Sequence, residues 1–401
     1  MLGINQWDVG YGLFLSYTFW VAFGAVAIIS LAVKQVPARL KHWLFILANA
    51  LFLLYFTQIG LTQLGILLAV FFILFIAAKR IMVSGSRSNG IFFFCLAVIV
   101  LFWVTGKVAV AQESKVLSGL FFIGESYILI KIWSLFKDAR DGYVKDINLG
   151  TFLNYCTFFP CFLSGPMHYY NEFTQTFNKP LPLNRKEFIH NLYRILLGLV
   201  KVRVLAVALR PYSLGIIQDS SLAATPVWDL FLRGMVYSFV LYFDFSGYCD
   251  VAIGTSGMLK VYVPENFRLF PYLAPDIRNF WQRWHITFTR FITNYIFIPF
   301  TRGAQRKFRV KAGVSLVVAG YLITFVFVGF WHGSTLNFLL WGIYHGIGLS
   351  LYDIYRRICP FKVPVKQRWA KTGFQVISIL LTFIFVSIGW ILFVLPVKFF
   401  I

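Results

Sequence analysis

Charge is what this 401-residue chain has least of. Asp, Glu, Lys and Arg make up 13% of it, against about 25% in ordinary soluble domains. The acidic side is thinner still, with 15 Asp and Glu against 37 Lys and Arg, a net charge of +22. The five cysteines (Cys95, Cys156, Cys161, Cys249, Cys359) and six histidines show no metal-ligand spacing, so no metal is expected. No Walker loop or GxSxG elbow occurs, which leaves ATP use and serine hydrolase chemistry without support. There is no low-complexity tail, no internal repeat and no soluble domain. The N-terminal MLGINQWDVGYG lacks a basic region before its apolar run. A cleaved signal peptide is therefore not expected, and the first helix is expected to stay.

What remains is oil. The chain is 59% hydrophobic and 19% aromatic, with a mean hydropathy of +0.73. A soluble globule of this length could not hide so much apolar surface, because burial is limited by surface scaling. The expected solvent is a lipid bilayer. The cationic excess is then the cytoplasmic bias of Lys and Arg in membrane loops, and no nucleic-acid partner is implied. Cys156 and Cys161 lie close enough in sequence to raise a disulfide, but small buried hydrophobes are the favoured reading of all five thiols.

A helix needs about 20 apolar residues to cross the hydrocarbon core. Charge-free runs of that kind mark Val9–Val33, two spans within His42–Ala78 broken near Gln58–Gln63, and Ser88–Gly106. Leu117–Phe136 is a fifth, carrying Glu125 and Lys131, which lipid would penalise and which should face protein or water. Further elements are Phe188–Leu209, Trp228–Val240, Ile286–Phe300, Ala312–Phe330, Leu336–Tyr352 and Thr372–Val397. The fold class expected is an all-α polytopic membrane protein, ten or eleven transmembrane elements with re-entrant segments. As one membrane domain it divides into N-terminal helices (1–150), a core carrying the histidine motifs (151–355), and a basic loop with a last helix (356–401).

Cations follow the first, third and fifth spans (Lys34, Arg39, Lys41; Lys79, Arg80, Arg87; Lys137, Arg140, Lys145). This places those loops in the cytoplasm and the N-terminus outside. The basic clusters Arg302–Lys311 and Arg356–Lys371 are expected on the cytoplasmic side too. Between them, Ala312–Tyr352 holds 41 residues without one charge, long enough for a hairpin out and back. Two stretches disturb the helix pattern. Thr151–Tyr170 contains Pro160 and Gly165-Pro166, and proline removes a donor and disfavours helix before it. Leu241–Met258 sets Asp244 and Asp250 among aromatics and glycines. Such backbone survives at membrane depth only when shielded by protein or lining a wet cavity, and both stretches suggest an enclosed polar path.

His42 and His190 adjoin charged loop edges and read as interface residues; His345 reads as packing. His285 and His332 are each preceded by tryptophan, in FWQRWH (280–285) and GFWHGS (329–334). A neutral imidazole is the usual general base when a hydroxyl must become a nucleophile. Gly333 and Ser334 leave room for a substrate beside His332. The competing reading of each buried histidine is a hydrogen-bonded structural residue. His332 stands out because intramembrane ionisable residues default to function.

The combination YFDFSGYCDVAIG (242–254), PENF (264–267), FWQRWHITF (280–288), GFWHG (329–333), WGIYHG (341–346) and FFPCFLSGPMHYYNEF (158–173) resembles the membrane-bound O-acyltransferase family. The similarity is to its bacterial branch, whose members acetylate alginate or transfer D-alanine to teichoic acid. It covers about half the chain. The resemblance implies a central tunnel and acyl transfer within or across the membrane, with His332 as catalytic base and His285 as the second histidine. Their separation of 47 residues suits the D-alanyl members, while FSGYCD leans toward the acetylating ones. The chain departs from the pattern at Thr293-Asn294-Tyr295, where relatives read RDY, and at His168-Tyr169-Tyr170, where they carry an arginine after the Gly-Pro pair.

The implied substrate is an acyl thioester, on coenzyme A or a carrier protein, with no permanently bound cofactor. Ser334, Asn337 and the indole N–H of Trp281 or Trp284 are candidate oxyanion donors. Trp281 and Trp284 fit tunnel lining and interfacial anchoring equally; Arg278 and Arg283 are candidate phosphate contacts or plain cytoplasmic-interface residues; Asp244, with Asp250, is an orienting group in the core or, preferred, a structural hydrogen-bonding one. Expected partners are the bilayer, the acyl donor and a separate extracytoplasmic acceptor or transferase. The expected location is the bacterial cytoplasmic membrane. The sequence also admits a transporter or flippase, or a non-catalytic scaffold; the missing repeat counts against the first and the paired Trp-His motifs against the second.

Overall fold

The computed structural model describes residues 20–21, 23–24, 38–56, 60–111, 125–178, 184–214, 225–309, 313–359 and 368–395. The first expected span, Val9–Val33, lies almost wholly outside them, as do Lys362, Lys366 and the side chain of Glu125. Among the described residues all regular structure is helical. The chain divides into two compact units, Met1–Val202 with Asp244–Pro264, and Arg203–Phe243 with Glu265–Ile401.

The first unit contains α1 (Ala38–Phe56), α2 (Leu61–Ser84), α3 (Asn89–Ala111), α4 (Glu125–Arg140), α5 (Leu149–Thr157), α6 (Tyr170–Phe177) and α7 (Arg185–Val200). The break expected between the second and third spans falls between α1 and α2. The expected irregular stretch is irregular. α5 stops before Pro160, a 3₁₀ turn spans Phe159–Cys161, and the Gly165-Pro166 peptide is cis. The freed backbone groups find side-chain partners. Asn49 Oδ1 accepts from the Phe159 N–H at 3.0 Å, and Lys131 Nζ donates to the Tyr155 carbonyl at 3.0 Å. That carbonyl would otherwise bond the N–H four residues on, which Asn49 holds. Lys131, 1% exposed, therefore faces protein and caps a broken helix. Cys156 and Cys161 are separate buried thiols.

The other irregular stretch is a correction. Leu241–Met258 runs unbroken within α8 (Val227–Met258), one 32-residue helix. Its glycines do not break it; they admit a neighbour. A Cβ on Gly247 would lie 2.7 Å from the Gly198 carbonyl oxygen of α7. Asp250 on this helix is satisfied by Arg194 at 3.1 Å and Lys201 at 2.6 Å, the latter in a π-helical turn (Lys201–Ala206) that continues α7.

The second unit holds the first half of α8, then α9 (Ile277–Arg283), α10 (Ile286–Ile292), α11 (Ile298–Phe308), α12 (Val314–His332), α13 (Leu336–Ile358) and α14 (Arg368–Val394). The uncharged 41-residue stretch forms the expected hairpin, α12 turning into α13 through Gly333–Thr335. Glycine lets the two arms touch backbone to backbone. A Cβ on Gly329 would strike the Phe338 carbonyl, and one on Gly342 the Phe325 carbonyl.

Four described helices are long and apolar enough to cross a membrane: Leu64–Ser84, Asn89–Lys107, Val314–His332 and Thr372–Val394. Their outward faces are oily, with Ile73 65%, Phe94 69%, Leu101 66% and Leu381 63% exposed. Apolar faces of that extent are disfavoured in water and fit hydrocarbon.

Candidate active site

His332 is the last residue of α12, where the helix ends at an extended Gly333. Its ring is half-buried. Trp331, Trp341 and Phe393 surround it at centroid distances of 4.8, 5.2 and 5.1 Å, with Phe338 at 6.5 Å. In the turn that follows, Gly333 is half-buried and Ser334, Thr335 and Leu336 are exposed. The half-buried imidazole thus packs against aromatic rings where an apolar helix gives way to an exposed turn.

His285 sits between α9 and α10 in the left-handed region, φ 45° and ψ 50°, and is 4% exposed. Few non-glycine residues adopt that conformation, which costs about 1–2 kcal/mol. Asn266, fully buried in the segment leading to α9, holds it there. The Asn266 carbonyl accepts from the Ile286 N–H at 2.9 Å, and its Oδ1 lies 3.0 Å from His285 Nδ1. The two histidines are linked through rings. His285 stacks on Phe288 at 5.0 Å, Phe288 meets Trp331 at 4.4 Å, and Trp331 adjoins His332.

The other expected residues fall in different places. Asn337, buried at the start of α13, donates from Nδ2 to the Phe393 carbonyl at 2.7 Å and accepts from Thr335 Oγ1 at 2.5 Å. It ties the hairpin turn to the end of α14. Trp281 is buried against Phe325, His345 and Trp341, at 5.0, 5.3 and 6.1 Å, and its indole N–H has no hydrogen-bond partner. Trp281 therefore stands one ring, Trp341, behind His332. Trp284 packs among Phe267, Phe280, Tyr272 and Trp390. Arg283, half-buried, donates to the Phe270 carbonyl at 3.4 Å. Arg278 forms an ion pair with Asp353 and so joins α9 to α13. Ser334 is exposed in the turn beside His332. Asp244 belongs to the first unit, where it is 7% exposed. Among the described residues no three His, Cys, Asp or Glu side chains gather as metal ligands would.

One residue escaped the sequence reading, and another fell where it was read. Asn266 sits in the PENF motif, but no periodicity shows that it reaches a histidine 19 positions on. His345, read as packing, is fully buried in a cage of Trp281, Phe325, Trp341 and Phe385.

A model of the MBOAT family, "membrane-bound O-acyltransferase family", matches residues 45–395. The peptidoglycan O-acetyltransferase of Helicobacter pylori is 34% identical over 252 residues, 61% of this chain and 44% of that protein. The teichoic acid D-alanyltransferase of Bacillus subtilis is 28% identical over 278 residues, 68% of each chain. A probable alginate O-acetylase of Pseudomonas syringae pv. tomato is 31% identical over 274 residues, 68% of this chain and 48% of that protein. The matched part thus spans less than half the length of the two acetylating relatives. Both histidine motifs, their ring linkage and the uncharged hairpin lie inside the matched 45–395, and the chain belongs to the membrane-bound O-acyltransferase family.

Proposed function

We propose that this chain is a membrane O-acyltransferase of the bacterial cytoplasmic membrane. It takes an acetyl group from a cytoplasmic thioester and passes it toward a hydroxyl of a cell-envelope polysaccharide, with His332 as general base. The observation that carries this reading is the placement of His332. It is a half-buried ionisable ring at the end of an uncharged apolar helix, packed against aromatics and followed by an exposed turn. Intramembrane ionisable residues in such positions serve function. The relatives named as O-acetyltransferase and O-acetylase support the acyl group and the polymer class.

In this reaction the acceptor O–H gives its proton to the His332 imidazole as the oxygen attacks the thioester carbonyl. A tetrahedral oxyanion forms, collapses, and breaks the C–S bond; the imidazolium returns its proton to the departing thiolate. The carbonyl end of α12 carries negative partial charge, which favours the transient imidazolium. Ser334, exposed in the turn, donates its hydroxyl to the oxyanion. His285 orients substrate. Trp281, Trp284 and Arg283 shape the path behind the site, a central tunnel among ten or eleven membrane elements, and Asp244 orients groups in the core. The acyl donor is coenzyme A or a carrier protein, and a separate extracytoplasmic protein receives the acyl group.

A second reading is D-alanyl transfer to teichoic acid. It is favoured by the Bacillus subtilis relative, which aligns over 68% of both chains. One experiment separates the readings. Cells lacking the gene are complemented with wild type or His332→Ala, and base-released acetate and D-alanine are measured from the envelope. Acetate restored by wild type alone supports the proposal. D-alanine restored instead selects the second reading. Equal restoration by His332→Ala overturns the role of His332.

A further inference from the structure

Three donors converge on one atom, Asn266 Oδ1. The Thr287 backbone N–H lies at 3.2 Å, Thr287 Oγ1 at 2.8 Å and His285 Nδ1 at 3.0 Å. A backbone N–H can only donate. The atom it faces is therefore the carboxamide oxygen, not the nitrogen, which removes the usual ambiguity of an asparagine flip. That oxygen can only accept. The proton of the neutral imidazole must then sit on Nδ1, and the ring's lone pair on Nε2. The main chain of the same residue adds a fourth bond, the Asn266 carbonyl accepting from the Ile286 N–H at 2.9 Å. Residues 285–287 are thus clamped by Asn266 from both its backbone and its side chain, and the strained left-handed backbone at His285 is held by that clamp.

We propose that Asn266 is a positioning residue that fixes His285 in the Nδ1–H tautomer, which sets the ring's basic lone pair on Nε2. This rests on the acyl-transfer reading of the histidine pair. Asn266 touches no reacting atom; it acts through His285. The arrangement follows the general logic by which a hydrogen bond to one ring nitrogen determines the role of the other. A wrong tautomer would present an N–H where an acceptor is needed, and such an error is costly wherever a histidine must accept a proton or hydrogen bond.

The test is acyl transfer by the full-length chain in membranes of the complemented cells. Acetyl-labelled coenzyme A is the probe, and base-released label and the level of each variant in the membrane are measured. Asn266→Ala is expected to lower transfer ~10-fold or more in the wild-type background. In a His285→Ala background the same substitution is expected to change transfer by less than ~2-fold, because residues that act through one another are not additive. Asn266→Asp keeps an oxygen acceptor for all three donors and is expected to retain transfer within ~3-fold of wild type, a rescue relative to alanine. An equal loss from Asn266→Ala with and without the His285 ring overturns the proposal, since the asparagine would then be holding structure alone. Should Asn266→Ala be missing from the membrane, Asn266→Asp decides. Transfer as low as that of His285→Ala at normal protein level overturns the proposal. Unchanged transfer in His285→Ala with loss in His332→Ala overturns it while sparing the base. Unchanged transfer in both histidine variants overturns the acyl-transfer reading itself.

Discussion

The chain contains the dipeptide Trp-His twice, at 284–285 and 331–332, and the two copies meet opposite physical fates. His285 is enclosed, hydrogen-bonded and bent into the left-handed region; one asparagine takes up its Nδ1 and the two following residues. His332 ends a regular helix, lies against tryptophan and phenylalanine rings, and opens onto an exposed turn. The first copy has a fixed direction; the second lies against a rigid aromatic wall at the start of an exposed turn. A ring that must take a proton from an incoming hydroxyl needs reach, and a ring that aligns a partner needs a fixed direction. The same two letters thus acquire different surroundings, which suit the two roles proposed for them.

The largest expected effect breaks this comparison at its half-buried end. His332→Ala should lower acyl transfer ~10²–10⁴-fold, the range for losing a general base, with protein level unchanged because the ring is only half-buried. A loss under threefold would make the half-buried histidine the dispensable one. The next effect is on stability. Gly329→Ala drives a methyl into the Phe338 carbonyl of the opposing arm, and backbone cannot step aside as a side chain can. A destabilisation of about 1–3 kcal/mol is expected, read as a lower unfolding temperature of the detergent-solubilised chain. An unchanged unfolding temperature would mean that the hairpin is looser than drawn.

Asn337→Ala sharpens the comparison further. Asn266 and Asn337 are both buried asparagines, yet Asn337 bonds the Phe393 carbonyl and Thr335, not a histidine ring. Its loss removes a buried hydrogen bond to the Phe393 carbonyl and should cost about 1–3 kcal/mol of stability. Transfer should fall only in step with the folded fraction. A drop in transfer at unchanged unfolding temperature would reassign Asn337 to the oxyanion.

Much of the fold was legible because lipid simplifies the code. Charge-free runs located α2, α3, α12 and α14, and the 41-residue silence between two basic clusters foretold the hairpin. Pro160 announced the end of α5. The glycines of 241–258 misled, because glycine both breaks helices and lets them approach, and only the neighbour decides which. Gly247 faces the carbonyl of Gly198, 49 positions earlier, a relation that no local window contains. Both histidines could be picked from their motifs. The clamp by Asn266 could not, since it depends on a loop residue folding back onto a turn that follows a separate helix.

The smallest expected effect tests what lies behind the half-buried ring. Trp281 fills the second layer, against His345 and Trp341, and its buried indole N–H meets no acceptor. An unpaired buried donor contributes no stability, and replacing it by an apolar group of similar shape is close to neutral. Trp281→Phe removes that donor and part of the ring volume. If the residue serves only as the rear of the aromatic wall, transfer should stay within ~3-fold, with a loss of stability of about 1 kcal/mol from the smaller ring. The alternative outcome is a fall of ~10-fold or more at unchanged stability, in the range for removal of an oxyanion donor. That would show that the indole N–H works in the reaction, and that His332 is served from behind by chemistry as well as by packing.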